Sequence, residues 1–351
     1  MKEQLGAPAR VRQVDFAKCL AIIAVVLIHV SGEGLYDLEI GSRAWMQSLL
    51  WGSLARFAVP LFVLCSGALL LDGARAVSTR HVWTRSIPHM LAALFFWALL
   101  YRFVPPLRQG TMGKAELLRA ISDIFCWRHE QHLYYLHILL LVYAALPVTR
   151  AFTAKADETA VRYALIFWCA TGVLLPTLRG LGLFSEIEGI PGQWALNLTW
   201  ASIGCTVLGW YLRKHPMHTG AAVGCFLSGF LICFAGTALL SMARGKLSLQ
   251  LLEGLSPGAV LMAAGLFCLC GALENQLPHW LQTIAETGGK ASFCIYLVHQ
   301  FALRALRDFG ITAQMGGFWW SILVVAGVCL LLSFAVWCVL SRIPVVRRWL
   351  I

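Results

Sequence analysis

The sequence predicts an all-α, polytopic membrane protein with about ten transmembrane helices and both termini in the cytoplasm. Apolar residues make up 59% of the 351 residues and charged residues only 13%, against roughly 45–50% and 25% in soluble domains. Several apolar runs have about 20 residues, the length that a helix needs to cross a bilayer. The short alternating segments that are typical of outer-membrane barrels do not occur in the sequence.

The first apolar run is expected to remain as a signal anchor, because Met1–Arg12 has neither an apolar core nor a small-residue cleavage site. Nine further runs follow it without a second soluble domain, so residues 1–351 are expected to form one transmembrane domain with a short cytoplasmic segment, 1–13. The ten predicted spans lie near residues 14–32, 52–71, 86–104, 132–149, 160–178, 193–212, 219–240, 257–273, 290–307 and 318–340.

The basic residues favour this orientation. With both termini inside, 16 of the 28 Lys and Arg residues fall in cytoplasmic segments and 11 in outer ones, as the positive-inside rule requires. The net charge of +11 is then explained by loops beside anionic lipid, and no nucleic-acid partner is expected. The one sizeable extramembrane piece is the outer loop near 103–131, in which "AELLRAISDIFCW" has the apolar spacing of an interfacial helix.

The twelve cysteines are scattered through apolar runs, and only Cys268 and Cys270 form a close pair. This pattern fits small buried apolar side chains better than zinc ligands or a disulfide framework. His-Glu-x-x-His spacing, a glycine-rich phosphate loop and a Gly-x-Ser-x-Gly elbow are also missing from the sequence. We therefore expect no metal and no permanently bound cofactor.

Lys18 and His29 are the first polar residues that do not belong in lipid. Eleven residues separate them, which on a helix places them on one face about 16 Å apart. An ionisable group inside a span is costly unless it faces protein or water, so each is a functional candidate, with Asp15 one turn before Lys18. The alternative is that Lys18 extends to the lipid headgroups and His29 ends the helix.

Histidine is suited to proton transfer near neutral pH, because its ordinary pKa lies there. Glu33, four residues after His29, is placed either to orient the ring or to act as a solvated loop acid. Arg56, near the outer end of the second span, either lines a cavity or binds lipid phosphate. In the same span Pro60 frees a carbonyl, and Ser66-Gly67 allows close helix approach.

Three later segments add polar candidates. Arg80 and Arg85 precede the third span, where guanidinium groups suit phosphates, although the positive-inside rule explains them almost as well. His132, Tyr134 and Tyr135 begin the fourth span; an interfacial tyrosine belt would explain the tyrosines but not the histidine. The ninth span, in the stretch "ASFCIYLVHQFAL", contains further candidates, Tyr296 and His299. Three spans thus contribute imidazoles, which favours a metal-free acid/base site.

Taken together, these segments resemble the acyltransferase-3 family of multi-span bacterial acyltransferases. The carrying motifs are Asp15, Lys18 and "CLAIIAVVLI" before His29, then "VPLFVLCSG", "HLYYLHILLLVYAALP", "GCTVLGWYL" and "SFCIYLVHQ". The resemblance covers about residues 14–340, and the chain looks like the stand-alone members of the family, which have no fused esterase-like domain. One departure is lysine at position 18, where the family usually has arginine.

The resemblance implies transfer of an acetyl or other short acyl group from cytoplasmic acyl-CoA to a sugar hydroxyl on a lipid-linked or exported glycan, at the bacterial inner membrane. His29 would act as general base, with Glu33 as its orienting group. The expected oxyanion stabilisers are Arg56, His132 and Tyr135. The expected donor or substrate contacts are Asp15, Lys18, Ser66, Arg80, Arg85, Tyr134, Tyr296 and His299.

Several alternatives stay open at this stage. Transfer through an acylated His29 is as compatible with these residues as direct transfer. A protein, a peptide or a small amine would replace the sugar without changing the site. A secondary transporter or flippase also predicts intramembrane charges, but it predicts two matching halves with interrupted helices, which the sequence does not show. The oligomeric state is not indicated.

Overall fold

The computed structural model describes residues 10–73, 77–111, 113–182, 189, 191–315 and 320–351. Helices account for 81% of the chain, and the described residues contain no strand, which confirms an all-α fold. The predicted segment 1–13 is described only from residue 10, and the predicted span 318–340 only from residue 320.

The first half of the chain forms a series of helices, and in several places consecutive helical segments join into one longer helix. Residues 79–108 form a single helix with a π-helical turn, Val82–Ser86, and residues 158–181 do the same through Cys169–Leu174. The helices are α1 Arg12–Asp37, α2 Arg43–Leu54, α3 Ala58–Leu70, α4 Thr79–His81, α5 Ile87–Arg108, α6 Lys114–Phe125, α7 Tyr134–Lys155, α8 Glu158–Trp168 and α9 Leu175–Leu181.

The second half continues the same pattern. A π-helical turn, Ile232–Gly236, joins two segments of one helix. The helices are α10 Leu198–Lys214, α11 Thr219–Leu231, α12 Thr237–Arg244, α13 Pro257–Leu273, α14 His279–Asp308, α15 Ser321–Leu340 and α16 Pro344–Trp349. Packing centres on α1, which contacts α2, α3, α13, α14 and α15.

Eight helical stretches among the described residues are long and apolar enough to cross a membrane. The other two predicted spans, 193–212 and 290–307, overlap α10 and α14. Helix α10 has only 17 residues, and α14 has 30 residues with charged side chains toward both ends. The protein is therefore a polytopic membrane protein with eight clear spans and two further helices in the same bundle.

Ion pairs mark the two ends of the bundle. At one end, Arg10 binds Asp15 at the start of α1 and Glu286 of α14. At the other end, Glu33 of α1 binds Arg307 of α14. We name these the Arg10 end and the Glu33 end; the orientation predicted from the basic residues makes the Arg10 end cytoplasmic.

The predicted loop helix near 103–131 is present as α6. Apolar residues of this helix remain exposed, among them Leu118 and Phe125, whereas Ala120 and Ile124 are buried. The helix packs on α5, so it covers the Glu33 end of the bundle rather than forming a separate unit.

The second predicted span differs from its prediction. The helical stretch begins at Arg43 instead of near residue 52, and it is interrupted at residues 55–57 between α2 and α3. Arg56 lies in this break. Pro60 falls in the first turn of α3, where its missing N–H removes no helical hydrogen bond. The interruption therefore comes before the proline, and it places Arg56 on a turn.

Glycines allow two helix pairs to approach closely. A Cβ on Gly67 of α3 would overlap the carbonyl oxygen of Thr206 in α10, and a Cβ on Gly209 of α10 would overlap that of Leu64. Gly229 of α11 likewise faces the Gly258 carbonyl of α13. Small residues are the usual means of such approach in membranes, so the expectation for Ser66-Gly67 is confirmed.

We expect Gly67→Val to destabilise the protein, because the new side chain would overlap the backbone of α10 and separate it from α3. Overpacking of this kind costs about 1–3 kcal/mol. Thermal unfolding of the purified protein in detergent measures the effect. Gly224→Val is the control, since a Cβ at Gly224 meets no atom within 4 Å; equal unfolding temperatures for the two variants would contradict the packing argument.

Candidate active site

Three imidazoles from three separate elements meet inside the bundle. The ring centroids of His29 and His299 lie 4.9 Å apart, those of His132 and His299 5.4 Å, and those of His29 and His132 6.5 Å. We call this group the imidazole cluster. The structure thus brings together the histidines of the first, fourth and ninth predicted spans.

Each histidine is placed by a different local feature. His29 lies on α1, which is continuous from Arg12 to Asp37. His132 lies in the 3₁₀ turn Gln131–Leu133 that leads into α7, and His299 lies within α14. His132 and His299 are buried, so their polar atoms depend on partners within the protein.

Hydrogen bonds define the tautomer of His299. Its Nδ1 donates to the carbonyl of Tyr296 at 2.7 Å and lies 3.2 Å from that of Ile295. A carbonyl accepts only, so Nδ1 carries the hydrogen and Nε2 is the acceptor of the neutral ring. The Gln300 amide lies 3.4 Å from that Nε2.

The turn that carries His132 is fixed by Tyr296. The Tyr296 hydroxyl donates to the His132 carbonyl at 2.6 Å, and the two rings lie 6.1 Å apart. The Tyr296 ring also lies 5.6 Å from that of Tyr135. The predicted substrate contact Tyr296 therefore uses its hydroxyl to hold the backbone of the cluster.

His132 and Arg56 each have a buried nitrogen without a hydrogen-bond partner among the described residues, Nε2 and Nε respectively. Arg56 interacts electrostatically with His29 and with Tyr134. Buried polar atoms are normally hydrogen-bonded. These two nitrogens are therefore available for contact with a substrate.

Tyr135 and Ser66 lie next to each other on the side of Phe62. The rings of Tyr135 and Phe62 are 5.8 Å apart, and the Ser66 hydroxyl donates to the Phe62 carbonyl at 3.0 Å. Ser66 also interacts with the Tyr135 side chain. Tyr135 thus reaches the cluster through Tyr296, whereas Ser66 is one residue further out.

Glu33 lies one helical turn after His29 on α1, and its partner is on another helix. Its carboxylate binds Arg307 of α14, and the structure shows no hydrogen bond between Glu33 and the His29 ring among the described residues. The Glu33 carboxylate thus ties α1 to α14 at the Glu33 end, and its orienting role stays a prediction.

The remaining predicted residues lie toward the Arg10 end. Lys18 is on α1, within electrostatic range of Cys65 in α3. Asp15, one turn earlier, binds Arg10 rather than Lys18. Arg80 and Arg85 are exposed at the start of the third span. The structure does not bring these residues into the imidazole cluster.

Two residues that support His132 were not among the predicted site residues. The Tyr101 ring lies 4.9 Å from that of His132, and its hydroxyl donates to the Leu297 carbonyl at 2.8 Å. Arg304 lies over Tyr101 at 5.3 Å and binds Glu130 at 2.7 Å, beside the His132 turn. In the sequence, Tyr101 could have been noticed as a tyrosine in an apolar span, and Arg304 as an arginine five residues after His299.

The cluster has the composition of a proton-transfer site. Neutral imidazole nitrogens can accept a proton, and Arg56 supplies a fixed positive charge next to them. No group of three or more His, Cys, Asp or Glu residues placed to hold a metal ion occurs in the described part of the chain. Its twelve cysteines are all free, and most are buried, as the sequence predicted.

Comparison with known families decides the class of protein. The model of the acyltransferase-3 family, an acyltransferase domain, matches residues 11–338. The chain belongs to the acyltransferase-3 family. No curated protein and no solved structure matches the chain significantly.

The acyltransferase-3 match includes α1 through most of α15, and with them the whole imidazole cluster. The protein is thus a multi-pass membrane acyltransferase. Helix α16, Pro344–Trp349, lies beyond the matched residues.

The Glu130–Arg304 pair should couple strongly, because both side chains are largely shielded from solvent, with 23% and 35% exposed. A double-mutant cycle with Glu130→Gln and Arg304→Gln in this acyltransferase should give about 0.5–3 kcal/mol of coupling. The measurement is thermal unfolding in detergent.

The control cycle uses Glu158 and Arg162, an i,i+4 pair with 47% and 63% exposed, for which we expect about 0.5 kcal/mol or less. Coupling of Glu130 and Arg304 no larger than in this exposed pair would mean that the ion pair does not hold the His132 turn.

Proposed function

We propose that this membrane acyltransferase moves an acetyl or other short acyl group from cytoplasmic acyl-CoA to a hydroxyl of a lipid-linked or exported glycan. The observation that carries the proposal is the imidazole cluster beside Arg56, inside the spans of an acyltransferase-3 protein. Acyl-CoA is the donor substrate rather than a bound cofactor. The proposed location is the bacterial inner membrane, where the cytoplasmic donor meets a membrane-bound acceptor.

His29 is the proposed general base. It is the member of the cluster that lies on α1 together with Lys18, and it interacts with Arg56. His299 has its Nδ1 bonded to carbonyls of its own helix, which suits it to support the site rather than to turn toward a substrate. His132 is held by Tyr296 through its backbone and comes second as a candidate.

Direct transfer then has two steps. His29 takes the proton of the acceptor hydroxyl while the hydroxyl oxygen bonds to the thioester carbonyl carbon, and the carbonyl oxygen becomes an oxyanion. The carbon–sulfur bond then breaks, and the CoA thiolate leaves with the proton that the imidazole returns. Proton transfer by a positioned base contributes about 10²- to 10⁴-fold to such rates.

Arg56 is the proposed stabiliser of the oxyanion. Its guanidinium is within electrostatic range of His29, and its Nε has no hydrogen-bond partner among the described residues. A preorganised donor in a site without water acts more strongly than one in solution. His132, with its free Nε2, and Tyr135 are the other candidates for this contact.

The donor is proposed to enter from the Arg10 end. Lys18, Arg80 and Arg85 supply positive charge there for the CoA phosphates, while the pantetheine arm extends along α1 toward His29. Lysine at position 18 keeps the charge but lacks the planar fork of arginine. Ser66 and Tyr134 are proposed to border this route, and Asp15 to act through Arg10.

Three alternatives are judged by experiment. An acylated His29 would appear as labelled enzyme when acyl donor is supplied without acceptor. A non-sugar acceptor would leave glycans unlabelled while transfer continues. The transporter hypothesis is not supported by membership of an acyltransferase family. Among family members the motifs resemble those of the enterobacterial common antigen O-acetyltransferase, a resemblance that does not extend to naming the acceptor.

His29→Ala should lower the rate of acyl transfer by about 10²- to 10⁴-fold, because the acceptor hydroxyl would lose its base. Incorporation of radiolabelled acetyl groups from acetyl-CoA by membranes that contain the variant measures this. The abundance and unfolding temperature of the variant should remain close to those of the wild type.

The matched control for this variant is His279→Ala, since His279 is exposed at the start of α14. It should transfer at the wild-type rate. A fully active His29→Ala enzyme would remove His29 from the chemistry and make His132 the first residue to examine.

A strain that lacks the gene should lose one acetyl increment from a surface glycan. Mass spectrometry of the surface polysaccharides of the two strains measures the difference, and complementation with the wild-type gene but not with His29→Ala should restore it. If no glycan changed while purified enzyme still transferred acetyl groups, the acceptor would not be a sugar.

A further inference from the structure

A second group of cationic side chains lies at the Arg10 end, away from the imidazole cluster. It lines a cleft between the start of the third span and α16. Arg85 and Arg348 both line this cleft, and no acidic residue is among those that line it. The lining residues are His81, Arg85, Ser86, His89, Arg348 and Trp349.

Helix α16 is held in place against the third span. It packs on α5, and the Trp97 indole N–H donates to the Leu350 carbonyl at 2.9 Å. The Arg348 guanidinium lies over the Trp349 ring at 5.6 Å. Because of this anchor, Arg348 and Trp349 present a charge and a flat aromatic ring at a defined place.

His89 connects the cleft with the interior. Its Nε2 is buried and has no hydrogen-bond partner among the described residues. Its ring lies 6.2 Å from that of Phe293, which lies 6.4 Å from Tyr296, which in turn lies 6.1 Å from His132. A continuous row of rings thus leads from the cleft to the imidazole cluster.

We propose that this cleft binds the nucleotide end of the acyl donor, with Arg85 and Arg348 on its phosphates and Trp349 against its base. The proposal rests on the proposed function. It assigns a binding role to α16, which lies outside the matched family domain, and it assigns the row His89, Phe293 and Tyr296 as the side along which the thioester arm reaches the cluster.

The chemistry of the cleft fits a nucleotide. Arginine forks bind phosphate oxygens by paired, charge-assisted hydrogen bonds, and bases stack on aromatic rings such as tryptophan. A lipid headgroup offers the same phosphate, but it has no base for Trp349. A lipid headgroup also has no arm that would extend from the cleft along the rings of His89, Phe293 and Tyr296.

Binding of adenosine 3′,5′-bisphosphate to the purified full-length protein in detergent tests the site, because this probe has the phosphates and base of CoA but no acyl group. Arg348→Ala should weaken binding by about 10- to 100-fold. Arg347→Ala is the control, since Arg347 is on the same helix but does not line the cleft. Arg348→Lys, which keeps the charge without the fork, should fall between them.

Transfer assays separate this proposal from the proposed function. Arg348→Ala should raise the KM for acetyl-CoA and leave the rate with acetyl-pantetheine, which lacks the nucleotide, unchanged. If Arg347→Ala and Arg348→Ala bound the nucleotide with equal affinity while transfer continued, the cleft proposal would be wrong and the proposed function would stand. Nucleotide binding without transfer from either donor would instead contradict the acyl-CoA reaction.

A lipid arm completes the test. If Arg348→Ala lost binding of phosphatidylglycerol in mixed micelles but kept nucleotide affinity, the cleft would be a headgroup site and the proposal would fail. Unchanged lipid binding together with weakened nucleotide binding would support it.

Discussion

The bundle is organised by the cost of burying ionisable groups where water is scarce, since an unpaired charge in a membrane interior costs several kcal/mol. Ion pairs accordingly join the two ends of the α1 segment to α14, Arg10 with Glu286 and Glu33 with Arg307. Between these pairs the two helices carry His29 and His299, whose imidazoles can be neutral. Under the proposed function, a site that moves protons through imidazoles avoids the full cost of a permanent buried charge.

Arg56 is a further fixed charge, and it lies where a helix is interrupted. The break at residues 55–57 places it on a turn within electrostatic range of His29. The turn packs on neighbouring helices, because the Phe57 ring lies 6.1 Å from that of Phe226 and α2 contacts the π-helical turn Ile232–Gly236. A non-helical backbone is tolerated at membrane depth where protein surrounds it. No carboxylate among the described residues pairs with Arg56, so packing holds this cation.

Much of this arrangement follows from spacing and composition. The relation between Lys18 and His29 needs only a continuous helix, and histidines are conspicuous in apolar runs. The break at Arg56 could not be predicted, because residues 55–57 include neither glycine nor proline. The partner of Glu33 could not be predicted either. The spacing of four residues from His29 indicates the imidazole ring as the partner, whereas the observed partner, Arg307, is 274 residues away along the chain. Which charged residues pair at the ends of the helices depends on how the helices pack, and this packing cannot be read from a single sequence.

Helix α14 runs past the site from the Arg10 end to the Glu33 end. It carries Glu286 in the Arg10-end ion pair, then Phe293 and Tyr296, then His299, and finally Arg307 in the Glu33-end ion pair. Under the proposed function, one rigid element thus borders the donor route, the transfer site and the end from which an outer acceptor must come. The donor and the acceptor would both bind along the same helix. Their reacting atoms would then meet at a fixed depth in the membrane without a large movement of the protein. Proximity of this kind is itself a major source of rate enhancement.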